Sequence, residues 1–294
     1  MIPKEILDKV RLIEIHTRSM VNNLFAGEYH SVFKGRGMEF AEAREYQPGD
    51  DVRHIDWNVT ARLNQPFIKQ YVEERELTIM LMVDLSASGT FGSGAQTKHE
   101  LAAEVAAVLA FAAQRNNDKV GLTLFTERVE KYVAPAKGNR HVLRLVRDIL
   151  EHTPDRRGGD LQHALQHLQK TFRRRAVMIV LSDFLDPLPV SALQQAQRRH
   201  DVIAVQITDP HEETLPALGR ITMEDAETGE VGEISLRNEE EISAFSHHQS
   251  HAQEELEQQL CSIAIDHIRL RTNDPYVPAL SKFFRTRLER QRRV

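Results

Sequence analysis

From Leu77 onward, the chain alternates short apolar runs with longer amphipathic stretches, and this alternation limits the possible folds more than any other feature. A short apolar run has the length of a strand buried on both faces, whereas a stretch with one apolar and one polar face is typical of a helix. Buried strands separated by helices form a mostly parallel sheet that helices cover on both sides. We therefore predict a Rossmann-like α/β fold with strands at Leu77–Val83, Lys119–Phe125, Ala176–Leu181, Asp201–Ile207 and Asp266–Leu270.

Two short connections depart from this alternation and predict hairpins. Val129–Val133 follows Lys119–Phe125 with too little chain between them for a helical crossover, so it should be an antiparallel edge strand. Later in the chain, Arg220–Met223 and Gly232–Leu236 flank the turn residues Glu227–Glu230 and predict a peripheral hairpin. The predicted helices are Lys98–Arg115, His141–Glu151, Leu161–Phe172, Val190–His200 and Val277–Arg292.

The N-terminal quarter of the chain has a different pattern. Ile6–Leu24 carries apolar residues at helical spacing, Tyr46–Asp51 contains a Pro-Gly turn, and Phe67–Val72 alternates as a strand does. We predict that residues 1–76 form an N-terminal segment packed on one large domain of residues 77–294.

Charge is distributed unevenly along the chain, although the formal net charge is only -5. Residues 211–260 contain 13 acidic and 2 basic residues, whereas residues 281–294 contain 6 basic and 1 acidic. We interpret residues 211–260 as an acidic insertion made of the peripheral hairpin and a helix. The acidic insertion and the basic tail are the parts most able to select a partner by charge.

Several classes of protein are disfavoured by the sequence. The single cysteine, Cys261, excludes a disulfide framework and a cysteine-built zinc site. The basic tail lacks an aromatic stacking platform, so nucleic-acid binding is not expected. There is no phosphate-binding loop for ATP, no apolar stretch long enough to span a membrane and no signal-peptide core. On these grounds we expect a cytoplasmic protein without a membrane span.

Two carboxylates follow predicted strands of the sheet. Asp84 comes directly after Leu77–Val83 and opens the sequence Asp-x-Ser-x-Ser, and Asp183 comes after Ala176–Leu181. Ligands of such sheets bind beyond the carboxyl ends of the strands, so neighbouring strands would bring both acids to one pocket. With Ser86 and Ser88, they offer hard oxygen atoms of the kind that Mg²⁺ or Mn²⁺ prefers.

The order of these residues resembles the metal-ion-dependent adhesion site of von Willebrand factor type A domains. Upstream motifs are similar to the signature of the bacterial family filed as domain of unknown function 58, and the match runs from about Arg36 to the end of the chain. These motifs are Gly37-x-Glu39-Phe40, Arg44-x-Tyr46, Gly49-Asp50-Asp51, Arg53-His54-Ile55-Asp56-Trp57 and Ala61-Arg62.

The resemblance implies a von Willebrand factor type A-like core and a MoxR-type AAA+ ATPase as partner. It also implies a threonine ligand before a helix, but the corresponding stretch here is Arg157–Leu161 and Gly159 stands in the threonine's place. One hydroxyl ligand is therefore lost. Asp160 is the candidate to approach the ion instead, directly or through water.

Other interpretations of the same residues remain open. Asp84, Ser86 and Ser88 are also the residues of a turn whose side chains cap the following backbone. Asp186, before Pro187, is interpreted as structural. We interpret Arg53, Asp56, Trp57 and Arg62 as a buried cluster of ion pairs and packing contacts, and His247, His248 and His251 as a solvated helix face.

Three functions are consistent with this sequence. The leading hypothesis is a metal-dependent protein-interaction module that acts as an adaptor of the ATPase in the assembly or maturation of client complexes. The second is a metal-dependent hydrolase that uses the same carboxylates, although no general base or catalytic motif is evident. The third is a scaffold whose metal site is vestigial because of Gly159.

Overall fold

The computed structural model describes residues 10–14, 39–72, 76–215, 219–236 and 239–293. These residues fall into two compact units, a smaller one that ends at Leu77 and a larger one that contains residues 10–14 and the chain from Thr78 onward. Residues 10–14 are helical, and the rest of the helix predicted from Ile6–Leu24 lies outside the described residues. That the N-terminal segment packs on the large domain stays a prediction.

A six-stranded sheet forms the centre of the larger unit, in the order β10-β7-β6-β3-β4-β5. All neighbouring strands are parallel except β4 and β5, which are antiparallel as the short connection predicts. The predicted strand assignments are therefore confirmed within a few residues. The strands are β3 Thr78–Asp84, β4 Lys119–Phe125, β5 Val129–Ala136, β6 Val177–Ser182, β7 Asp201–Thr208 and β10 Asp266–Arg271.

Helices cover this sheet because its four inner strands carry apolar side chains on both faces. Residues 79–83 of β3 are all fully buried, and alternate side chains of a strand point to opposite faces. Met80 and Met82 pack in one core cluster with helices α4, α5 and the end of α7. The helices are α2 Lys98–Arg115, α3 Asn139–Glu151, α4 Leu161–Thr171, α5 Val190–Arg199, the short α6 Pro210–Glu213, α7 Glu239–Ser262 and α8 Tyr276–Arg293.

The acidic insertion contains a hairpin, as predicted. Strand β8, Gly219–Glu224, pairs antiparallel with β9, Val231–Leu236. Asp225 fixes the turn between them, since its Oδ1 accepts hydrogen bonds from the backbone N–H groups of Glu227 and Thr228 at 2.9 and 2.8 Å. Helix α7 follows this hairpin and carries His247, His248 and His251 on an exposed face, which confirms the solvated interpretation.

The basic tail is less free than its sequence indicates. In α8, the Arg287 side chain is buried and forms ion pairs with Asp201 and Asp266. Arg290 also pairs with Asp266, at 3.0 Å. Part of the tail's positive charge is thus used within the domain, where it attaches α8 to the ends of two strands.

The smaller unit contains an antiparallel pair of strands, β1 Glu39–Glu45 and β2 Phe67–Val72, and the helix α1 Trp57–Leu63. Its turn is closed by the Arg44 guanidinium, which donates to both carboxylate oxygens of Asp50 at 2.7 Å. This hydrogen-bonded pair lowers the pKa of Asp50 to about 2. Part of the family signature therefore has a structural role in shaping this turn.

The prediction of a buried cluster around Trp57 is wrong for most of the residues that it named. Trp57 is 70% exposed, Arg62 is exposed, and Arg53 pairs with its neighbour Asp51 on the surface. Helix α1 is short and buries none of its residues, so it offers no interior for them. Only Asp56 is buried, and its Oδ1 caps α1 by accepting from the N–H groups of Asn58 and Val59.

Candidate functional site

The two predicted acids meet at the carboxyl edge of the sheet because their strands are neighbours. In the parallel pairing of β3 with β6, Val83 lies opposite Leu181, so Asp84 falls opposite Ser182 and Asp183 is the next residue along. Asp84 Oδ1 accepts from the Ser86 N–H at 2.9 Å, and its Oδ2 accepts from the Ser182 hydroxyl at 2.7 Å. The capping interpretation of Asp84 is thus correct for one of its oxygens.

Two serine hydroxyls connect these acids. Ser86 Oγ lies 3.1 Å from Ser88 Oγ, and Ser88 Oγ donates to Asp183 Oδ2 at 2.7 Å. All four residues predicted to hold a metal ion therefore belong to one hydrogen-bonded network. We call Asp84–Ser88 the DxSxS loop.

The DxSxS loop is held in place by close packing on both sides. The Ala87 N–H donates to the carbonyl oxygen of Arg157 at 2.7 Å. On the other side, a Cβ at Gly89 would stand 2.3 Å from the ring of His99, so only glycine permits this approach. A cavity of about 20 Å³ lies beneath the loop, bordered by Asp84, His99 and Asp183. That space is sufficient for one water molecule.

A buried lysine, which the sequence analysis missed, completes the network. Lys98 is 2% exposed, and its Nζ donates to Asp183 Oδ2 at 2.7 Å and also to Glu212. A lysine at the start of a helix has the sequence signature of a solvated residue, so no pattern indicated its burial. Its partner Glu212 belongs to α6, directly after β7.

The glycine in the threonine's place faces a carboxylate that the sequence analysis had set aside as structural. A Cβ built on Gly159 would stand 3.0 Å from Asp186 Oδ2 and 3.6 Å from Asp84 Oδ2. Asp186 therefore reaches the space that a residue-159 side chain would enter. Asp160 has another role, since its Oδ1 accepts from the His163 N–H at 2.8 Å and caps α4.

Burial and mutual repulsion govern the charges of the site. Burial, and next the charge of Asp183, raises the pKa of Asp84 to about 6. Burial also raises the pKa of Asp186, together with the charges of Asp183 and Asp160. A bound cation would reverse both effects, because it favours the ionised form of each carboxylate.

The donor atoms fit a small divalent ion that is held partly by hydroxyl groups. Within the described ranges, no three His, Cys, Asp or Glu side chains converge tightly enough to hold a metal by themselves. Any ion between Asp84 and Asp183 would thus need the oxygens of Ser86 and Ser88 as well. Mg²⁺ and Mn²⁺ accept such a set of oxygen ligands and retain water at their other positions.

Comparison with known proteins places the chain in a family. Residues 42–255 match the family model described as protein of unknown function DUF58. The chain belongs to the DUF58 family. An uncharacterized DUF58 relative from Mycobacterium tuberculosis is 34% identical over 230 residues, which cover 77% of this chain and 73% of that protein.

Solved structures show the fold of this DUF58 protein. An aerotolerance-related membrane protein from Bacteroides fragilis superposes with a TM-score of 0.50 at 15% identity, covering 73% of this chain and 99% of that one. The SpRpn10 VWA domain matches 72% of this chain and 95% of its own length, at 13% identity and a TM-score of 0.39. The larger unit has the predicted α/β architecture, a mostly parallel sheet covered by helices, and the family to which the chain belongs is described as one of unknown function.

The prediction of a cytoplasmic protein is contradicted and is withdrawn. The Bacteroides fragilis protein with this fold is named a membrane protein. Our prediction relied only on the absence of a membrane-spanning stretch and of a signal-peptide core, and such absences do not give a location. Across the parts of the chain that the structure describes, no helix combines the length and the apolar character needed to cross a membrane.

Proposed function

We propose that this DUF58 protein is a metal-dependent protein-interaction module whose ion binds a carboxylate of a partner. Asp84, Ser86, Ser88 and Asp183 would hold Mg²⁺ or Mn²⁺ at the carboxyl edge of the sheet. The observation that carries this proposal is a single network: Asp84 accepts from the Ser86 N–H, the hydroxyls of Ser86 and Ser88 are hydrogen-bonded, and Ser88 donates to Asp183. The bound ion supplies a positive centre that accepts one further oxygen ligand.

The charge balance of the site supports an ion that stays attractive to a partner's carboxylate. Lys98 already compensates Asp183 and Glu212, so it removes much of the negative charge that they would place on the ion. Asp84 is then the principal anionic ligand, and the serines add neutral oxygens. An ion with few anionic ligands remains a strong electrophile for an external carboxylate.

Asp186 compensates for the missing threonine in this proposal. Its Oδ2 borders the space in front of Gly159 and Asp84, where a ligand from residue 159 would otherwise project. The site thus exchanges a neutral hydroxyl for a carboxylate from the loop after β6. We propose that Asp186 reaches the ion through water, in place of the sequence-based candidate Asp160.

The surroundings of the site suit contact with a protein. Phe91, which follows the DxSxS loop, is 44% exposed, and Leu185, two residues after Asp183, is 60% exposed. Exposed apolar side chains next to a polar centre are typical of an interaction surface. As partner we propose a MoxR-type AAA+ ATPase, with a client protein in a complex that the pair assembles or matures.

Metal titration of site variants tests this proposal. We expect Mn²⁺ and Mg²⁺ binding to the wild-type chain in calorimetry, and its loss in D84A and D183A. The control is E289Q, which removes an exposed carboxylate of α8 beside Arg290, whose partner Asp266 begins β10 at the opposite edge of the sheet. Capture of a purified MoxR-type AAA+ ATPase should fail in the same two variants and persist in the control. Unchanged capture by D84A and D183A, with intact circular dichroism, would refute the mechanism.

The hydrolase and the vestigial scaffold give different results in the same experiment. The imidazole of His99 lies next to the DxSxS loop, but Gly89 covers its ring, so it is poorly placed to act as a base on the open side. Turnover of phosphate esters with Mn²⁺ that D84A abolishes would favour the hydrolase. A wild-type chain that binds neither ion at millimolar concentration would favour the vestigial scaffold.

A further inference from the structure

The turn of the β8–β9 hairpin is more buried than the residues that lead into it. Thr222–Asp225 are exposed, whereas Ala226, Glu227 and Gly229 at the tip are half-buried. The tip of an isolated hairpin is normally its most exposed part. Burial at the tip therefore indicates that this turn lies against another part of the larger unit.

Arg157 connects this turn to the DxSxS loop. Its Nη1 lies 3.5 Å from the point where a Cβ on Gly229 would stand. Its carbonyl oxygen accepts the hydrogen bond from the Ala87 N–H, inside the DxSxS loop. One residue thus contacts both the hairpin tip and the candidate metal site.

Glu227 is half-buried at this tip, and its carboxylate lies within electrostatic range of the acids of that site. Besides burial, the charges of Asp186, Asp183 and Asp84 raise its pKa to about 7. The backbone of Glu227 is held in the turn by the Asp225 side chain, whose Oδ1 accepts its N–H at 2.9 Å. Acids within such range of each other repel unless a cation lies between them.

We propose that Glu227 is the chain's own carboxylate for the ion of the metal site, and that the hairpin tip closes the position where a partner's carboxylate would bind. This inference rests on the proposed function. A divalent ion held by Asp84 converts the repulsion between the hairpin and the site into attraction. A partner must then present an acidic side chain on a tight turn and displace Glu227 from the ion.

The hairpin itself provides a matched pair of variants. E227Q removes the charge within range of the site, and E230Q removes an exposed charge from the same turn. We expect E227Q to weaken Mn²⁺ binding by about tenfold or more in calorimetry, since the loss of a supporting group at a metal site has effects of this size. E230Q should bind Mn²⁺ as the wild type does.

Water-proton relaxation by bound Mn²⁺ reports the open ligand position directly. In E227Q, water takes the place of the carboxylate, so the relaxation enhancement for each bound ion should rise. Acetate, used as a probe for a partner's carboxylate, should then reverse that enhancement at a lower concentration than in the wild type. A role in folding alone would not produce this response to acetate.

The outcomes separate this inference from the proposed function. If the wild type and E227Q bind Mn²⁺ and acetate identically while D84A binds no ion, the inference is overturned and the metal site stands. If the wild type binds no Mn²⁺, both are overturned. Equal effects of E227Q and E230Q would show that only the general charge of the hairpin matters, which also overturns the role of Glu227.

Discussion

Lys98 Nζ lies 2.7 Å from Asp183 Oδ2, and both side chains are more than nine-tenths buried. The same carboxylate oxygen accepts the Ser88 hydroxyl hydrogen, so one atom joins helix α2, strand β6 and the DxSxS loop. A buried ammonium without its anions, or a buried anion without the ammonium, has a large desolvation cost. The pair therefore fixes Asp183 in position while limiting the charge that it offers to an ion.

Replacement of Lys98 by methionine should destabilise the larger unit. K98M leaves Asp183 buried without its cation, and removal of one member of a buried pair costs about 3 kcal/mol or more. We expect the free energy of unfolding in urea to fall by that amount. The double variant K98M/D183N removes both charges and should recover part of the loss. A change in K98M of less than about 1 kcal/mol would contradict the buried pair.

Threonine at position 159 should interfere with the site in the presence of Asp186. In G159T, the new Cβ would stand 3.0 Å from Asp186 Oδ2, so one of the two must move. We expect a Mn²⁺ affinity about tenfold lower than that of the wild type, measured by calorimetry. G159T/D186A removes the conflict and supplies the hydroxyl, so its affinity should exceed that of G159T. Equal affinities of the single and double variants would show that Asp186 and residue 159 do not share one space.

The buried histidine His200 should make stability depend on pH. Burial, and next the charges of Arg199 and Arg175, lowers its pKa, and neither ring nitrogen has a hydrogen-bond partner among the residues that the structure describes. The unfolded chain then binds a proton at a higher pH than the folded one. Above the unfolded pKa of about 6.5, the neutral imidazole of His200 costs no stability. Below that pH, the free energy of unfolding falls by at most about 1.4 kcal/mol for each pH unit.

Urea unfolding at pH 7.5 and at pH 5.5 measures this contribution. H200F keeps an aromatic ring beside Phe172, whose ring centre lies 6.3 Å from that of His200. We expect the wild type to lose more stability on acidification than H200F does. Asp84, whose pKa is raised, acts in the opposite direction, but it does so equally in both proteins. Equal losses would exclude His200 as the titrating group.

Sequence patterns predicted the sheet because its strands are apolar on both faces, and a run such as residues 79–83 has few alternatives. They also predicted that Asp84 and Asp183 meet, since both follow strands that prove to be neighbours. Lys98 was not predictable, because its burial depends on two acids that come 85 and 114 residues later. The exposure of Trp57 could not be predicted either, since apolar character predicts burial only where the helix or strand that carries the residue packs against another element.

The exposed leucine beside the metal site should contribute to partner binding and leave ion binding unchanged. Leu185 presents its side chain to solvent, while its backbone N–H donates to Asp183 Oδ1 at 3.4 Å and does not depend on side-chain identity. L185S should therefore bind Mn²⁺ as the wild type does. Capture of the ATPase should fall, because truncation of an apolar side chain at an interface often costs more than about 1 kcal/mol, or roughly fivefold in affinity.

L63S is the control, since it makes the same change at a leucine of the smaller unit that is 57% exposed. Equal capture by L185S and the wild type would place the partner's contact surface elsewhere, and a loss of Mn²⁺ binding in L185S would show that the loop after β6 shapes the ion site itself.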